Sequence, residues 1–132
     1  MPPRYHRLMT RPLSHPDGAG VALAGLLFAL ADPVRLAIVR ELLKSPAGLN
    51  CTETTARIGL SMPKSTCSQH YRILRESGLI ASERRGTELV SRVRAQLLTE
   101  RFPGLLESVI AAYERERPAA LRRRASRVSA AG

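Results

Sequence analysis

The run from Ile58 to Ile80, IGLSMPKSTCSQHYRILRESGLI, constrains the fold of this chain more than any other stretch. Apolar residues recur in it at the spacing of one helix face, at Cys67, Tyr71 and Leu74. Gly78 follows at a position where a glycine in the left-handed conformation commonly ends a helix. The pattern predicts a helix over residues 62–77 with one apolar face.

The opposite side of this helix is rich in hydrogen-bonding groups. Ser61 is expected to cap the helix start, with Pro63 in the first turn, where its missing N–H costs little. This polar face carries a net positive charge and no acidic residue. It consists of Lys64, Ser65, Thr66, Ser68, Gln69 and Arg72. Such a face suits the major groove of DNA, where Lys and Arg meet phosphate or guanine and Gln can read adenine. A solvated surface helix without a partner is the alternative interpretation.

The flanking segments favour the DNA interpretation. Asn50 and Glu53 have the spacing of a capping box for a short preceding helix that Gly59 closes. Residues 79–94 predict a hairpin of two strands joined by a turn at residues 85–87. Helix, turn, helix and hairpin is the order of a winged helix-turn-helix, a mainly α fold with a small β-hairpin (α+β). Arg84 and Arg85 at the hairpin tip are expected to contact backbone phosphate, the alternative being a solubilising charge.

Composition sets the class of partner. A chain of 132 residues corresponds to one domain, and a net charge of +10 favours a polyanionic partner, nucleic acid before membrane. Two cysteines do not make a disulfide framework, so a reducing cytoplasm is the simpler expectation. The chain has no Ser/His/Asp or Cys/His spacing, Gly-rich phosphate loop or metal-ligand cluster that would indicate an enzyme, so we predict no catalytic residue and no cofactor.

The two ends are expected to lie outside the domain of residues 18–117. Residues 1–17 hold four prolines and three arginines and are predicted to form an unpacked arm. Residues 118–132 form a basic segment rich in Ala, Arg and Ser that is predicted to be disordered and to attract phosphate without specificity.

The apolar run Val21–Ala31 predicts the first helix of the domain. It could instead be read as a secretory signal, because a basic leader precedes it. However, it continues directly into Asp32-Pro33, the typical start of a capped second helix, and it is too short to span a bilayer. We therefore expect a helix that is buried in part against another subunit. On the second helix, the residues predicted to face solvent are Arg35, Arg40 and Lys44.

The last predicted helix, Leu105–Arg117, has one apolar stripe. Two amphipathic terminal helices on a small domain indicate a dimer interface, the alternative being simple packing on the monomer. The residues predicted at this interface are Leu23, Leu26, Leu27, Leu105, Leu106, Val109, Ile110 and Tyr113.

Three motifs in order resemble the ArsR family of bacterial winged-helix repressors. They are LADPVRLAIVRELL at 30–43, GLSMPKSTCSQHYRILRESGLI at 59–80 and GTELVSRV at 86–93. The resemblance covers about residues 20–113 and implies a homodimer, an inverted-repeat operator and release of DNA on binding an inducer. It also implies that His70 has a structural role at a helix–helix contact.

The chain departs from the family at its metal-ligand positions. The Cys-x-Cys pair of many members falls on Asn50 and Thr52, while Cys51 and Cys67 occupy apolar positions and are expected to be small core residues. A redox role for these cysteines is left open. The last helix has no His, so neither familiar metal site is predicted and the inducer is unidentified.

We therefore predict a cytoplasmic, homodimeric repressor that binds double-stranded DNA through residues 62–77 and the wing at 79–94, and that has no membrane partner. Two other hypotheses remain open. One is a winged-helix protein-interaction module, and the other is a non-specific nucleic-acid binder acting through its Arg-rich ends.

Overall fold

A computed structural model describes residue 13 and residues 15–116 of the chain. The predicted basic segment at 118–132 and most of the predicted N-terminal arm lie outside the described residues. Within the described part, no helix is both long enough and apolar enough to cross a membrane.

In the described part of the chain, six helices surround a small antiparallel sheet, as the predicted winged helix-turn-helix requires. After a single 3-10 turn at Gly18–Gly20, the helices are α1 (Leu23–Leu30), α2 (Pro33–Leu43), α3 (Cys51–Ile58), α4 (Lys64–Ser77), α5 (Ala95–Arg101) and α6 (residues 105–116). The strands are β1 (Leu49–Asn50), β2 (Ile80–Arg85) and β3 (Glu88–Val93), in the order β1-β3-β2. The two long strands form the predicted wing, whereas two-residue β1 is too short to show an alternating pattern in the sequence.

Side-chain caps fix the starts of the two helices that precede α4. The Asp32 carboxylate accepts hydrogen bonds from the amides of Val34, at 2.8 Å, and Arg35, at 3.1 Å. Asn50 and Glu53 form the predicted capping box at the start of α3. Both predicted helix starts are confirmed.

The predicted start of α4, the helix that is expected to face DNA and that we call the recognition helix, is wrong by two residues. The helix begins at Lys64, its N-cap is Pro63, and Ser61 makes no cap. Pro63 has an extended ψ of 146°, and a residue that precedes proline, here Met62, is disfavoured in the helical region. The capping position therefore moves to the proline itself.

Gly78 ends α4 in the left-handed conformation, as predicted, with φ at +91°. The amide of Leu79 donates to the carbonyl of Leu74, which completes the helix end. A Cβ at Gly78 would lie only 2.4 Å from Cγ2 of Val21. The end of the recognition helix thus packs directly against the segment that leads into α1.

The prediction that Arg35 lies on the solvent-exposed side of α2 is wrong. Its side chain is only 8% exposed, and Nε donates to the carbonyl of Ala29 at 2.7 Å. Its other nitrogens lie 3.4 Å from the carbonyl of Phe28 and 3.3 Å from Nδ1 of His70 on α4. The last carbonyls of a helix lack partners within the helix, so the end of α1 provides acceptors for a buried guanidinium. His70 accordingly lies at a helix–helix contact.

The terminal helices pack on their own protomer more closely than the sequence predicts. Three of the predicted interface side chains are buried within the chain, namely Leu26, Leu106 and Tyr113. Leu26 and Leu106 line the same small internal cavity, and Arg40 on α2 forms an ion pair with Glu114 on α6. These three apolar side chains are covered by the protomer's own core, and the contact with a partner that the sequence predicts for them stays a prediction.

The last residues of the predicted arm are also packed. Nε2 of His15 accepts a hydrogen bond from the amide of Ser82 at 2.9 Å, on the outer edge of β2. The carbonyl of Pro16 accepts one from Arg94 at 2.7 Å. An edge strand presents unpaired amides, and this segment supplies an acceptor for one of them.

Candidate nucleic-acid interface

The outer face of α4 is free of contacts with the domain core. All six side chains predicted to face DNA from this helix are exposed: Lys64, Ser65, Thr66, Ser68, Gln69 and Arg72. Arg72 forms a single exposed pair with Glu76 at 3.9 Å. Exposed pairs of this kind contribute little stability, so the guanidinium can exchange Glu76 for another anion.

The inner face of α4 packs into the domain core. Cys67, Tyr71 and Leu74 are all buried in the core, as the apolar spacing predicts. On either side of them, His70 contacts Arg35 and Gly78 packs on Val21. The exposed face is therefore presented by a helix fixed at its back and at its C-terminal end.

The two arginines at the wing tip lie in different environments. Side chains alternate between the faces of a strand, so Arg84 shares the face of buried Ser82, and Arg85 points to the opposite face with Glu83. Nε of Arg85 donates to the Glu83 carboxylate at 2.7 Å. Both tip arginines are exposed, but only Arg85 is engaged by an acid in this way.

Arg75 is a basic residue of this surface that the sequence-based prediction omitted. Its side chain is half-buried, and it lines the groove between α4 and the wing. Burial lowers the pKa of Arg75, nearby Arg84 and Arg72 lower it further, and Glu76 opposes them. Within the described residues, its buried Nη1 has no hydrogen-bond partner. Its position three residues after Arg72 is the only sequence signal that could have identified it.

A groove of about 320 Å³ separates α4 from the wing and from the start of α3. Its walls include Cys51, Lys64, Ser68, Arg75 and Thr87. At one end, Nδ2 of Asn50 donates to Glu88 at 3.1 Å and joins α3 to β3. The groove carries positive charge along its α4 side, next to the exposed face of the helix.

The cysteines correct a further prediction. Cys67 is buried, as expected for a small core residue, but its sulfur is bonded to that of Cys51 in a disulfide. The first residue of α3 and the inner face of α4 meet behind the turn, although the two cysteines lie 16 residues apart in sequence. Two isolated cysteines give no indication of such a contact before the helices are placed.

The described residues contain no group of three or more His, Cys, Asp or Glu side chains arranged to hold a metal ion. The prediction of no metal site rests on the departures from the Cys-x-Cys pattern at Asn50 and Thr52. Both positions lie at the start of α3, where neither side chain is a thiolate.

Comparisons with known proteins agree with this geometry. A helix-turn-helix domain model matches residues 30–83. The HTH-type transcriptional regulator YceK of Bacillus subtilis is 34% identical over 86 residues, which span 65% of this chain and 84% of that protein.

Solved structures show the same fold. The transcriptional repressor BigR from Xylella fastidiosa is 30% identical with a TM-score of 0.53, covering 70% of this chain and 83% of that one. An ArsR-like transcriptional regulator from Rhodococcus sp. RHA1 is 27% identical with a TM-score of 0.51, covering 74% and 87%. With its exposed recognition helix and its wing, this chain is a DNA-binding regulator and belongs to the ArsR family of winged helix-turn-helix transcriptional regulators.

Proposed function

We propose that the protein is a homodimeric repressor that binds an inverted-repeat operator. The observation that carries this proposal is the exposed face of α4, whose six polar side chains are held outward by a buried inner face. In a two-fold dimer, two such helices would enter successive major grooves about 10 bp apart.

Within this face, we assign Gln69 and Ser68 to base edges and Lys64 and Arg72 to phosphate or guanine. Gln can make two hydrogen bonds to adenine, and a bidentate pair of this kind discriminates against a wrong base by about 1–3 kcal/mol. Ser65 and Thr66, in the first turn of the helix, are short enough to approach the sugar-phosphate backbone.

In the wing, we assign the main phosphate contact to Arg84. Arg85 must first give up or share Glu83, whereas Arg84 lies on the side of the wing that faces α4 and Arg75. The test is the salt dependence of binding: Arg84→Ala should lower the salt slope by about one unit, and Arg85→Ala should lower it less. An unchanged slope in Arg84→Ala would remove the wing tip from the interface.

The dimer interface that we propose is centred on α1. Leu23 and Leu27 are each 46% exposed and Phe28 is 65% exposed, which makes an apolar patch on one helix. On α6, Leu105, Val109 and Ile110 are half-buried and can extend the patch. Exposed apolar clusters of this kind commonly mark protein–protein contacts.

Light scattering tests this interface with a matched pair of charge substitutions. Leu27→Glu should give monomers and abolish operator binding, because it places a charge in the centre of the patch. Ala47→Glu adds the same charge to an exposed loop after α2 and should remain dimeric. A dimeric Leu27→Glu variant would place the interface elsewhere.

Repression rather than activation is supported by BigR, which is a transcriptional repressor. The transcriptional regulators among the relatives favour a non-enzymatic role, and a DNA-binding domain favours the cytoplasm. The alternative of a protein-interaction module predicts weak, sequence-independent DNA binding that disappears at physiological salt.

A further inference from the structure

We infer that the cavity between the end of α2, the base of the wing and the start of α5 binds a small amphipathic organic anion, a carboxylate carried on an apolar body. The inference deepens the proposed DNA-binding function and rests on it in one respect, because this ligand is assigned the role of the inducer. Occupancy of the cavity itself can be measured without DNA.

The size and the walls of the cavity are those of a small-molecule site. Its volume is about 530 Å³, and ligand sites commonly enclose about 300–1,000 Å³. Apolar side chains from three elements line it, including Leu43 of α2, Ala81 and Val93 of the wing and Leu97 of α5. All four are half-buried, so each retains apolar surface for a ligand to cover. Such walls favour a ligand with an apolar body.

Two guanidinium groups bring positive charge to the cavity. Arg92 is exposed and Arg94 is half-buried, and both line the cavity. Within the part of the chain that the structure describes, neither forms an ion pair with an acid, and Nη1 of Arg94 donates to the neutral carbonyl of Pro16 at 2.7 Å. Burial lowers the pKa of nearby His15, and the charges of Arg94, Arg75 and Arg92 lower it further. The arginines therefore gather with uncompensated charge, which an anion would neutralise.

The remaining charge of the cavity narrows the class of ligand. Glu100 is the single acidic side chain among the described residues that line it, and it accepts a hydrogen bond from Gln96 at 3.2 Å on the same helix. Two positive charges and one negative charge leave the lining with a net charge of +1, so an organic cation is disfavoured. A bare inorganic anion would leave the apolar walls in water. A carboxylate on an apolar body covers the walls and matches the planar fork of a guanidinium.

Arg94 connects the cavity to the wing. Pro16, whose carbonyl it holds, follows His15, and Nε2 of His15 accepts the amide of Ser82 on β2 at 2.9 Å. A carboxylate is a stronger acceptor for a guanidinium than a neutral carbonyl, so the ligand competes with Pro16 for Arg94. The ligand thereby favours a form in which the segment at the edge of β2 is released. A released wing loses more conformational entropy when it binds DNA, and the affinity for the operator falls.

Isothermal titration calorimetry of the full chain with cinnamate tests occupancy of the cavity. We expect a Kd of about 1 mM or tighter for a ligand of this size. Cinnamamide has the same shape without the charge, and acetate has the charge without the apolar body, so each should bind about tenfold or more weakly than cinnamate. A Kd for cinnamate well above about 1 mM, or equal binding of the amide, would overturn the inference.

Three variants locate the bound cinnamate. Arg92→Gln removes one cation from the cavity and should weaken binding about tenfold. Ala81→Leu fills the apolar wall and should abolish binding, whereas Arg115→Gln removes the same charge from an exposed position on α6 and should bind like wild type. Unchanged binding in both cavity variants would overturn the assignment of the site. Amide chemical shifts of the wild type decide it even if Ala81→Leu does not fold, because shifts that leave residues 81 and 92–97 unchanged would place the ligand elsewhere.

Fluorescence anisotropy with a duplex selected from random DNA tests the role of the ligand as inducer. Saturating cinnamate should weaken operator binding of the wild type by about fivefold or more, within the usual range of allosteric coupling. The same concentration should change operator binding by Arg92→Gln less. Unchanged operator affinity of the cinnamate-bound wild type would overturn the inducing role. Failure of the protein to prefer any duplex over random DNA would instead contradict the proposed function, and calorimetry would still decide whether the cavity binds the anion.

Discussion

Replacing Arg35 with Met should destabilise the protein by about 3 kcal/mol. The strongest contact that is lost is the buried hydrogen bond from Nε to the carbonyl of Ala29 at 2.7 Å, a charge-assisted bond that contributes about 1.5–3 kcal/mol. The longer contacts to Phe28 and His70, at 3.4 and 3.3 Å, add about 0.5–1 kcal/mol each. Relief of the desolvated charge offsets part of the sum, while Met retains the apolar stem.

Thermal unfolding followed by circular dichroism measures this effect. For a domain of this size, a loss of about 3 kcal/mol corresponds to a fall in Tm of about 10–20 °C. Arg57→Met is the control, because Arg57 is exposed and, among the described residues, donates only to Ser45; it should cost no more than about 0.5–1 kcal/mol. If Arg35→Met is no more destabilised than the control, the buried guanidinium does not hold α1 to α2 and α4.

Three further predictions follow from single contacts. Gln69→Ala should weaken binding to the selected operator by about 1–3 kcal/mol and binding to random DNA little, as measured by anisotropy; an equal loss on both would remove Gln69 from the base-reading set. Gly78→Ala should cost about 2–4 kcal/mol in urea unfolding, because it combines a positive φ with a Cβ placed 2.4 Å from Val21, while Gly86→Ala, with a positive φ and open space, should cost only about 1 kcal/mol. Burial is the largest of the effects that lower the pKa of His15 below 6.5. Only the neutral ring can accept the hydrogen bond from the amide of Ser82, so this bond should stabilise the protein fully above pH 6.5 and be lost as the pH falls through the lowered pKa. The difference in urea midpoint between wild type and His15→Ala should shrink as the bond is lost, and a constant difference would contradict this prediction.

The elements with a local chemical signature could be predicted from the sequence. These elements depend on residues within a few positions of one another. They are the helix N-caps at Asp32 and Asn50, the helix end at Gly78 and the regular spacing of apolar residues along α4. The exposed face of α4 follows from that spacing, since a helix with one buried side must present the other.

The features that were missed depend on contacts between distant segments. Arg35 has the position of a surface residue on α2, and its burial depends on where α1 ends. The Cys51–Cys67 bond and the anchoring of His15 to β2 likewise join parts of the chain that only the tertiary fold brings together. Strand β1 has only two residues, which is too few to show an alternating pattern in the sequence.

The residues predicted at the dimer interface divide into buried and exposed side chains, and this division also depends on the tertiary fold. The apolar stripe on α1 identifies Leu23, Leu26 and Leu27 alike, because hydropathy does not distinguish the protomer's own core from a partner. The structure separates them, burying Leu26 and leaving Leu23 and Leu27 exposed together with Phe28.

In vitro selection from random duplex DNA, with the chain of 132 residues at physiological salt, measures whether α4 reads bases. At this salt concentration, non-specific charge contacts are weakened, so enrichment depends on base recognition. We expect enrichment of an inverted repeat with half-sites about 10 bp apart, and weaker enrichment with Gln69→Ala. The absence of any enriched sequence, with binding that disappears as salt rises, would contradict the assignment of α4 as a base-reading helix.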